Sequence, residues 1–170
     1  KKLIFKISAI AAAFATLAGC SNTPQEVSYV DYVDTSIGTG GHGHVFVGAN
    51  VPFGAVQLGP TSIPQKWDWT SGYHVSDSTV IGFSHTHLSG TGAGDLYDIS
   101  FLPVTEPLKV ADAPLGVHSM FSHEREECEA GYYRVHLDSY DIDVELTATE
   151  RCGIQRYTFP GKEGKVILNL

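Results

Sequence analysis

The sequence predicts an all-β protein, folded as an antiparallel β-sandwich, and three observations support this fold class. No amphipathic helix pattern of convincing length occurs after residue 20. Short runs rich in β-branched and aromatic residues recur between turn signals, as strands do. Within the later runs apolar and polar residues alternate, so each strand has one apolar face and one wet face.

The first element is a segment typical of an export signal. Three lysines precede the apolar run 7–17, and small residues stand directly before Cys20. This order predicts a secretion signal over residues 1–20. The run is too short for a membrane-spanning helix, which needs about 20 apolar residues.

The Leu-Ala-Gly-Cys end of this segment resembles the lipobox of bacterial lipoproteins, where the cysteine is acylated and the chain is cleaved before it. We therefore expect an exported lipoprotein, anchored to a membrane at Cys20, in the periplasm or at the cell surface. An ordinary cleaved signal peptide is the alternative. It would leave Cys20 as a free thiol.

The rest of the chain divides into a polar tether over residues 21–28 and a β-sandwich domain over residues 29–170. The chain begins with lysine rather than methionine, and it ends inside the apolar run 166–170. We therefore expect it to be a fragment of a longer protein, with the sandwich domain incomplete at its C-terminus.

Seven strands are predicted in the domain, separated by turn residues such as the Pro-Gly-Lys-Glu-Gly segment at 160–164. They cover residues 55–58, 80–83, 98–102, 132–137, 142–146, 154–159 and 166–168. Two of them place their large apolar residues on one face, namely Tyr133, Val135 and Leu137 in one strand and Ile142, Val144 and Leu146 in the next. The acidic run 124–129 predicts a solvated turn or edge.

The net charge disfavours one class of partner, and the cysteines leave a possible disulfide open. Without residues 1–20 the chain keeps 8 basic and 19 acidic side chains, a formal charge of −11, so nucleic acid is not an expected partner. If Cys20 is acylated, Cys128 and Cys152 remain, and in an oxidising compartment they either pair or stay free. The sequence leaves that choice open.

Candidate functional residues concentrate in the stretch 38–94, which holds most of the glycines and five of the eight histidines. Such loops on a β scaffold usually carry function. The glycine-rich segment 38–44 does not predict a phosphate-binding loop, because no lysine and Ser/Thr pair follows it and no βαβ unit surrounds it.

The histidines of this stretch form two His-x-His pairs, His42 with His44 and His85 with His87. In an extended strand both rings of a pair would point to the same face, which is one way to offer two ligands to zinc. No cysteine and no fixed carboxylate spacing completes a tetrahedral set. Neutral histidines that bind loop backbone or a sugar hydroxyl explain the same residues.

Trp67 and Trp69 flank Asp68 and are the only tryptophans. A tryptophan in a loop offers a flat apolar face with an N–H at its edge, which suits a pyranose ring. If the segment is extended, both indoles point to the same side, and we expect at least one of them to line a cleft. None of the nearby carboxylates, Asp77 and Asp95 included, is marked by its neighbours as paired or as raised in pKa.

Four ordered motifs together resemble the N-terminal domain of glycoside hydrolase family 92. They are VDTSIGTGGHGH at 33–44, VPFGAVQLGP at 51–60, SGYH at 71–74 and GFSHTHLSGTG at 82–92. The resemblance extends over essentially all of residues 30–170. Thr70 and Val75 depart from the residues commoner in the family, so the resemblance carries no linkage preference.

The resemblance implies a calcium-dependent, inverting exo-α-mannosidase that removes terminal mannose from mannose-rich glycans. It implies an N-terminal β-sandwich packed on a larger (α/α)6 barrel, with the active site between them. The catalytic acid, the base and the calcium ligands would come from the barrel. This chain would then contain no catalytic residue and no metal ligand, and would be inactive alone.

The residues that the resemblance assigns to substrate binding all lie in the loops named above. Trp67 or Trp69 would contact mannose, while the remaining residues would shape or line the cleft. The set is Trp67, Trp69, Gly40, Gly41, His42, His44, His85, His87 and Asp95. The implied partners are an α-mannoside glycan, the protein's own helical barrel and a membrane reached through the lipid anchor.

Two other functions remain open from the residues. The first is a non-catalytic carbohydrate-binding β-sandwich of a surface lipoprotein. The second is a zinc enzyme built on the two His-x-His pairs.

Overall fold

The computed structural model describes residues 28–106 and 116–170. The chain divides into two units, Lys1–Asp31 and Tyr32–Leu170. The predicted signal segment, Cys20 and nearly all of the predicted tether lie outside the described residues. In the described part of the chain, no helix is long and apolar enough to cross a membrane.

The described residues form eleven strands and a few short 3-10 turns, which confirms the predicted all-β class. The strands are β1 (Ala49–Asn50), β2 (Gln57–Thr61), β3 (Thr79–Val80), β4 (Gly82–Ser84), β5 (Ser100–Val104), β6 (Ser119–Met120), β7 (Glu126–Glu129), β8 (Tyr132–Leu137), β9 (Ile142–Ala148), β10 (Gly153–Thr158) and β11 (Lys165–Asn169).

The strands build two main antiparallel sheets and one small sheet. The first main sheet has the order β1-β2-β4-β5-β11, and the second has the order β10-β9-β8-β7. Strands β3 and β6 form the small sheet. Leu58 and Phe83 of the first main sheet belong to the same buried cluster as Val144 and Leu146 of the second, so one core joins both sheets as a sandwich.

The alternation in β8 and β9 decides which face of the second sheet is buried. The six apolar residues predicted to share faces are at most 1% exposed, namely Tyr133, Val135, Leu137, Ile142, Val144 and Leu146. Each such side chain contributes roughly 1.5–3 kcal/mol by leaving water. The register pairs Val135 with Val144 and Leu137 with Ile142, so the apolar faces of the two strands coincide.

Tyr133 also carries a polar group into this core. Its hydroxyl donates to Glu126 Oε1 at 2.7 Å, and the hydroxyl of Tyr73 donates to Glu126 Oε2 at 3.0 Å. The Nδ1–H of His123 donates to the same carboxylate at 2.5 Å. Burial raises the pKa of Tyr133 well above its ordinary value, so the phenol stays a donor. The carboxylate of Glu126 thereby connects Tyr73 and His123, which lie outside the second sheet, to Tyr133 within it.

All seven predicted strands correspond to strands of the structure, with ends shifted by a few residues. The acidic run 124–129, for which the sequence predicts a solvated turn or a sheet edge, contains strand β7. This strand lies at one edge of the second sheet. The structure adds β1 and β6, each two residues long, and it leaves the thiols of Cys128 and Cys152 unpaired.

Candidate functional site

The glycine-rich loop is a tight backbone turn that presents two histidines differently. Gly43 N donates to Gly40 O at 3.2 Å, and a Cβ at Gly43 would lie 2.1 Å from the carbonyl oxygen of Gly38. Only glycine fits there. The turn leaves Gly41 and His42 exposed and Gly40 partly covered, whereas His44 is buried at 7% exposure.

The segment with both tryptophans is a 3-10 turn, Trp67–Trp69, rather than an extended strand. Residues two apart in a 3-10 turn point in different directions, because each residue rotates about 120°. The two indoles would point to the same side only in an extended segment, and this segment is not extended. Trp67 is 57% exposed, and its Nε1–H donates to Gly92 O at 2.8 Å.

Trp67 contacts the rings of both His42 and His44 and still leaves more than half of its surface exposed. The ring of His44 meets it edge-on, with ring centroids 4.2 Å apart. Gly92 has φ +64°, and a Cβ there would stand 2.9 Å from the indole. A glycine at this position therefore lets the loop backbone approach the indole closely. The result is a fixed aromatic plate at the surface.

Asp68 joins both histidines of the first pair. The Nδ1–H of His42 donates to Asp68 Oδ1 at 2.5 Å, and His44 Nε2 lies 3.8 Å from the same oxygen. The hydrogen bond from His42 lowers the pKa of Asp68, so the carboxylate is charged at neutral pH and accepts hydrogen bonds. His44 Nε2 is buried without a hydrogen-bond partner among the described residues. We call His42, His44, Trp67, Asp68 and Gly92 the Trp67 site.

Trp69 is held on the other side of the turn by Asp77, a buried carboxylate. Its Nε1–H donates to Asp77 Oδ1 at 2.6 Å, while Ser62 Oγ–H and the backbone N–H of His74 donate to Oδ2 at 2.5 and 2.8 Å. The ring of His74 stacks on the indole with centroids 4.4 Å apart. No local sequence signal identifies Asp77 as this anchor, because its donors meet only in the fold.

The second His-x-His pair lies in different surroundings. His85 Nδ1–H donates to Ile99 O at 3.1 Å, whereas His87 Nδ1–H donates to Gln57 O at 2.8 Å. The hydroxyl of Thr61 lies 3.2 Å from His87 Nε2 and donates to it. Burial lowers the pKa of His87 to about 4, so its ring is neutral at physiological pH. His87 is 3% exposed and braces strand β2.

The loop 94–99 carries unusual backbone conformations. Leu96, Tyr97 and Ile99 have φ values of +74°, +64° and +53°. Positive φ at such residues is strained and persists where surrounding contacts hold it. The hydroxyl of Tyr97 donates to Thr70 O, which ties the loop to the tryptophan turn. Asp95 is exposed, and its carboxylate accepts from the backbone N–H of Leu96 at 2.8 Å.

Metal-ligating side chains do not cluster in the described part of the chain. Among residues 28–106 and 116–170, no group of three or more His, Cys, Asp or Glu side chains could hold one. Calcium takes six to eight oxygen ligands, and zinc takes four ligands. The described residues therefore do not fit a calcium or zinc centre.

The fold and loops define a β-sandwich with an aromatic plate beside polar hydrogen-bonding groups, a combination typical of carbohydrate-active proteins. The family model "Glycosyl hydrolase family 92 N-terminal domain" matches residues 32–170. The chain belongs to this family.

Relatives agree with this assignment. A family GH92 α-mannosidase from Bacteroides thetaiotaomicron, solved in complex with mannoimidazole, is 40% identical with a TM-score of 0.71, covering 77% of this chain and 18% of that one. A family GH92 inverting mannosidase from the same bacterium is 25% identical with a TM-score of 0.67, covering 85% and 20%.

A curated relative, an uncharacterized secreted glycosidase of Arthroderma benhamiae, is 28% identical over 136 residues, which are 76% of this chain and 17% of the relative. The chain thus spans about a fifth of the length of the relatives it matches.

Proposed function

We propose that this chain supplies one wall of the substrate cleft of an inverting exo-α-mannosidase acting on terminal α-mannosides of mannose-rich glycans. Family membership supports a glycoside hydrolase, and the solved relatives named above are mannosidases. The observation that carries the proposal is Trp67. It is the more exposed of the two tryptophans, and it is held by the hydrogen bond from its N–H to Gly92 O and by its contact with the ring of His44.

In this proposal Trp67 stacks against the apolar face of a mannose ring, and polar groups beside it bind the hydroxyls. Asp68 is a charged acceptor, and the exposed ring of His42 beside it adds a further polar group. Hydrogen bonds to a charged group are the stronger ones, so Asp68 is the acceptor best suited to orient the sugar. Gly40 and Gly41 let the backbone of the loop approach the ligand.

Catalysis would come from residues beyond those described. An inverting glycosidase needs a carboxylic acid and a carboxylate base about 6.5–9.5 Å apart, with the acid held protonated. Asp68 has a lowered pKa and cannot serve as that acid, while Asp77 is buried at 4% exposure and occupied by three donors. In this proposal the acid, the base and the calcium ligands come from the helical barrel that the family resemblance implies for the complete protein.

The test uses the protein expressed from its complete gene. Hydrolysis of an aryl α-mannoside is followed with and without a calcium chelator, for the wild type and for Trp67→Ala and Trp67→Phe. We expect hydrolysis that chelation abolishes and calcium restores, a loss of about tenfold or more in kcat/KM for Trp67→Ala, and partial retention in Trp67→Phe. Activity indifferent to chelation would refute the calcium-dependent mechanism.

The rival is a non-catalytic carbohydrate-binding module, which the exposed and hydrogen-bonded indole of Trp67 would suit equally well. The same protein separates the two functions. Mannose binding that depends on Trp67 but occurs without hydrolysis would support the module. Hydrolysis with inversion at the anomeric carbon, followed by NMR of the released mannose, would support the enzyme.

We also propose that the protein is exported and lipid-anchored at Cys20. The signal pattern of residues 1–20 supports export, as does the likeness to a glycosidase described as secreted. Cells fed a labelled fatty acid should label the wild type but not Cys20→Ser. Protease treatment of intact cells then separates the outer surface from the periplasm, because only a surface protein is cleaved.

A further inference from the structure

Two apolar residues at one end of the sandwich are exposed although their backbone is strained. Phe53 has a φ of +60° and is fully exposed. Ile99 has a φ of +53° and is 47% exposed. A bulky or β-branched residue rarely adopts a positive φ, and such a conformation persists where surrounding contacts hold it. An exposed side chain supplies few such contacts within the sandwich itself.

Phe53 stands at a turn position that suits a smaller residue. Gly54 N donates to Val51 O at 3.0 Å, which closes a four-residue turn with Pro52 second and Phe53 third. Proline second and a positive φ third are the marks of a type II turn, in which glycine or asparagine normally takes the third position. The turn therefore gains nothing from a phenylalanine. The benefit of the ring has to come from contacts that the ring itself makes.

Hydrogen bonds place both residues at the same end of the first main sheet. Gln57, the first residue of β2, donates its side-chain amide to Gly54 O at 2.8 Å and its backbone N–H to His85 O at 3.0 Å. His85, which follows β4, donates Nδ1–H to Ile99 O at 3.1 Å. The Phe53 turn and Ile99 thus flank one contact between Gln57 and His85. We call this end of the sheet the Phe53 end.

The loop that joins β4 to β5 connects the Phe53 end with the Trp67 site. This loop covers residues 85–99, and Gly92 in its middle accepts the hydrogen bond from the indole N–H of Trp67. Leu96, nearer its end, is a further apolar residue with a positive φ, +74°, and is 39% exposed. The exposed apolar residues are therefore continuous along the chain with the proposed wall of the cleft.

The rest of the complete protein is the occupant that fits this end. The chain spans about a fifth of the length of the relatives it matches, so a complete protein of that size has most of its residues outside this chain. Apolar and aromatic side chains at the centre of an interface are its usual anchors. Contact there would take the Phe53 ring out of water and hold the backbone at positive φ.

We propose that Phe53 and Ile99 are anchors against which the remainder of the same polypeptide packs in the complete protein. The inference rests on the proposed function, because it assumes a complete protein in which this chain is one wall of a cleft. The Phe53 end is then the interface, and the Trp67 site lies beside it on the same loop. A wall held in this way keeps a fixed position relative to the residues opposite.

Thiol labelling of the complete protein tests the proposed interface directly. Phe53→Cys and Ile99→Cys are treated with a thiol reagent under native conditions, and labelled positions are identified by peptide mass spectrometry. The matched control is Asp141→Cys, because Asp141 also has a positive φ, +54°, and its side chain is 76% exposed. Asp141 precedes β9, whereas Glu150, after β9, accepts from Ala55 N at 2.7 Å beside the Phe53 turn, so the control lies at the opposite end.

We expect cysteines at 53 and 99 to react about 100-fold more slowly than the cysteine at 141. Reaction at either position as fast as at 141 overturns the inference. Protection that disappears when the protein is diluted assigns the covering partner to a second copy of the protein and overturns it as well. Protection that is independent of concentration supports it.

Phe53→Gly gives a second measurement in case a cysteine loosens the interface. If the ring is free in solvent, glycine relieves the strain and the complete protein unfolds at the same or a higher temperature. If the ring packs against the remainder of the protein, we expect unfolding at a temperature lower by about 2 °C or more. An unchanged or higher temperature overturns the inference. Asp141→Gly, the matched control, should not lower it.

Neither measurement needs a sugar or hydrolysis, so this inference and the proposed function can fail separately. Slow labelling at 53 and 99 in a protein that hydrolyses no mannoside supports the interface and refutes the proposed function. Fast labelling in an active mannosidase does the reverse.

Discussion

Replacing His87 by glutamine tests whether a buried neutral histidine makes the domain sensitive to acid. The His87 ring is 3% exposed, its Nδ1–H is bound by Gln57 O, and Thr61 donates to its Nε2. Both nitrogens are thus satisfied only in the neutral form. Burial lowers the pKa of this ring from 6.5 to about 4. Glutamine can replace some of these bonds but does not ionise in this range.

The direction in which pH changes the free energy of unfolding follows from the lowered pKa of His87. Above pH 6.5 the ring is neutral in both the folded and unfolded chain, so its contribution to the free energy of unfolding is fully present. As pH falls from 6.5 towards 4, only the unfolded chain takes up the proton, and stability is lost. A difference between 6.5 and about 4 corresponds to about 3 kcal/mol in all, of which about 2 kcal/mol is lost by pH 5.

The assay is urea unfolding of the chain without residues 1–20, followed by tryptophan fluorescence at pH 7, 6 and 5. Wild type should be more stable than His87→Gln at pH 7, and this advantage should shrink by about 2 kcal/mol at pH 5. His118→Gln, whose side chain reaches solvent, serves as the control and should follow the wild type. Parallel pH profiles for wild type and His87→Gln would refute the reasoning.

Three further substitutions test other contacts. Gly92→Ala, at φ +64° and 2.9 Å from the Trp67 ring, should displace that ring and weaken mannoside binding about tenfold by calorimetry; unchanged binding would contradict the fixed plate. Asp77→Asn replaces an acceptor by a donor, and urea unfolding should show a loss of about 2 kcal/mol; a neutral result would remove it as the anchor of the turn. Tyr133→Phe removes one donor to Glu126, and the same assay should show a loss of about 1–2 kcal/mol in the free energy of unfolding. Unchanged stability would show that this hydrogen bond contributes no net stability.

The second sheet could be predicted because its pattern is local. Burial alternates throughout β9, and in β8 only His136, at 9% exposure, interrupts the alternation. The turn between the two strands carries Asp141, a residue tolerated at its φ of +54°. Side-chain alternation therefore determines both the strands and the buried face. No information from distant parts of the chain is needed.

The short strands could not be predicted for the opposite reason. Strand β1, Ala49–Asn50, and strand β6, Ser119–Met120, are two residues long, too short to show any period. Each exists because a partner strand passes beside it. Strand β7 has an acidic composition that is unfavourable for strands, yet its pairing with β8 and the donors to Glu126 outweigh that preference.

The sequence identifies the residue types of the candidate site but not their arrangement. The sequence shows two tryptophans around Asp68, and only the 3-10 turn shows that Trp67 and Trp69 face different surroundings. It also shows two equal His-x-His pairs, whereas the structure makes His42 an exposed partner of Asp68 and His87 a buried brace. Burial depends on the whole fold, so spacing alone cannot separate these roles.

The two tryptophans lie in different surroundings, and this explains the role of the buried carboxylate of Asp77 in a loop. Asp77 accepts hydrogen bonds from Ser62, Trp69 and His74, and these bonds fix the turn from which both indoles project. A turn of three residues has too few internal hydrogen bonds to hold its own shape. The anchoring by Asp77 on one side therefore keeps Trp67 in place on the other. A plate that is rigid before the ligand arrives loses no rotamer entropy on binding, which is worth about 0.5–1.5 kcal/mol for each side chain that would otherwise be ordered.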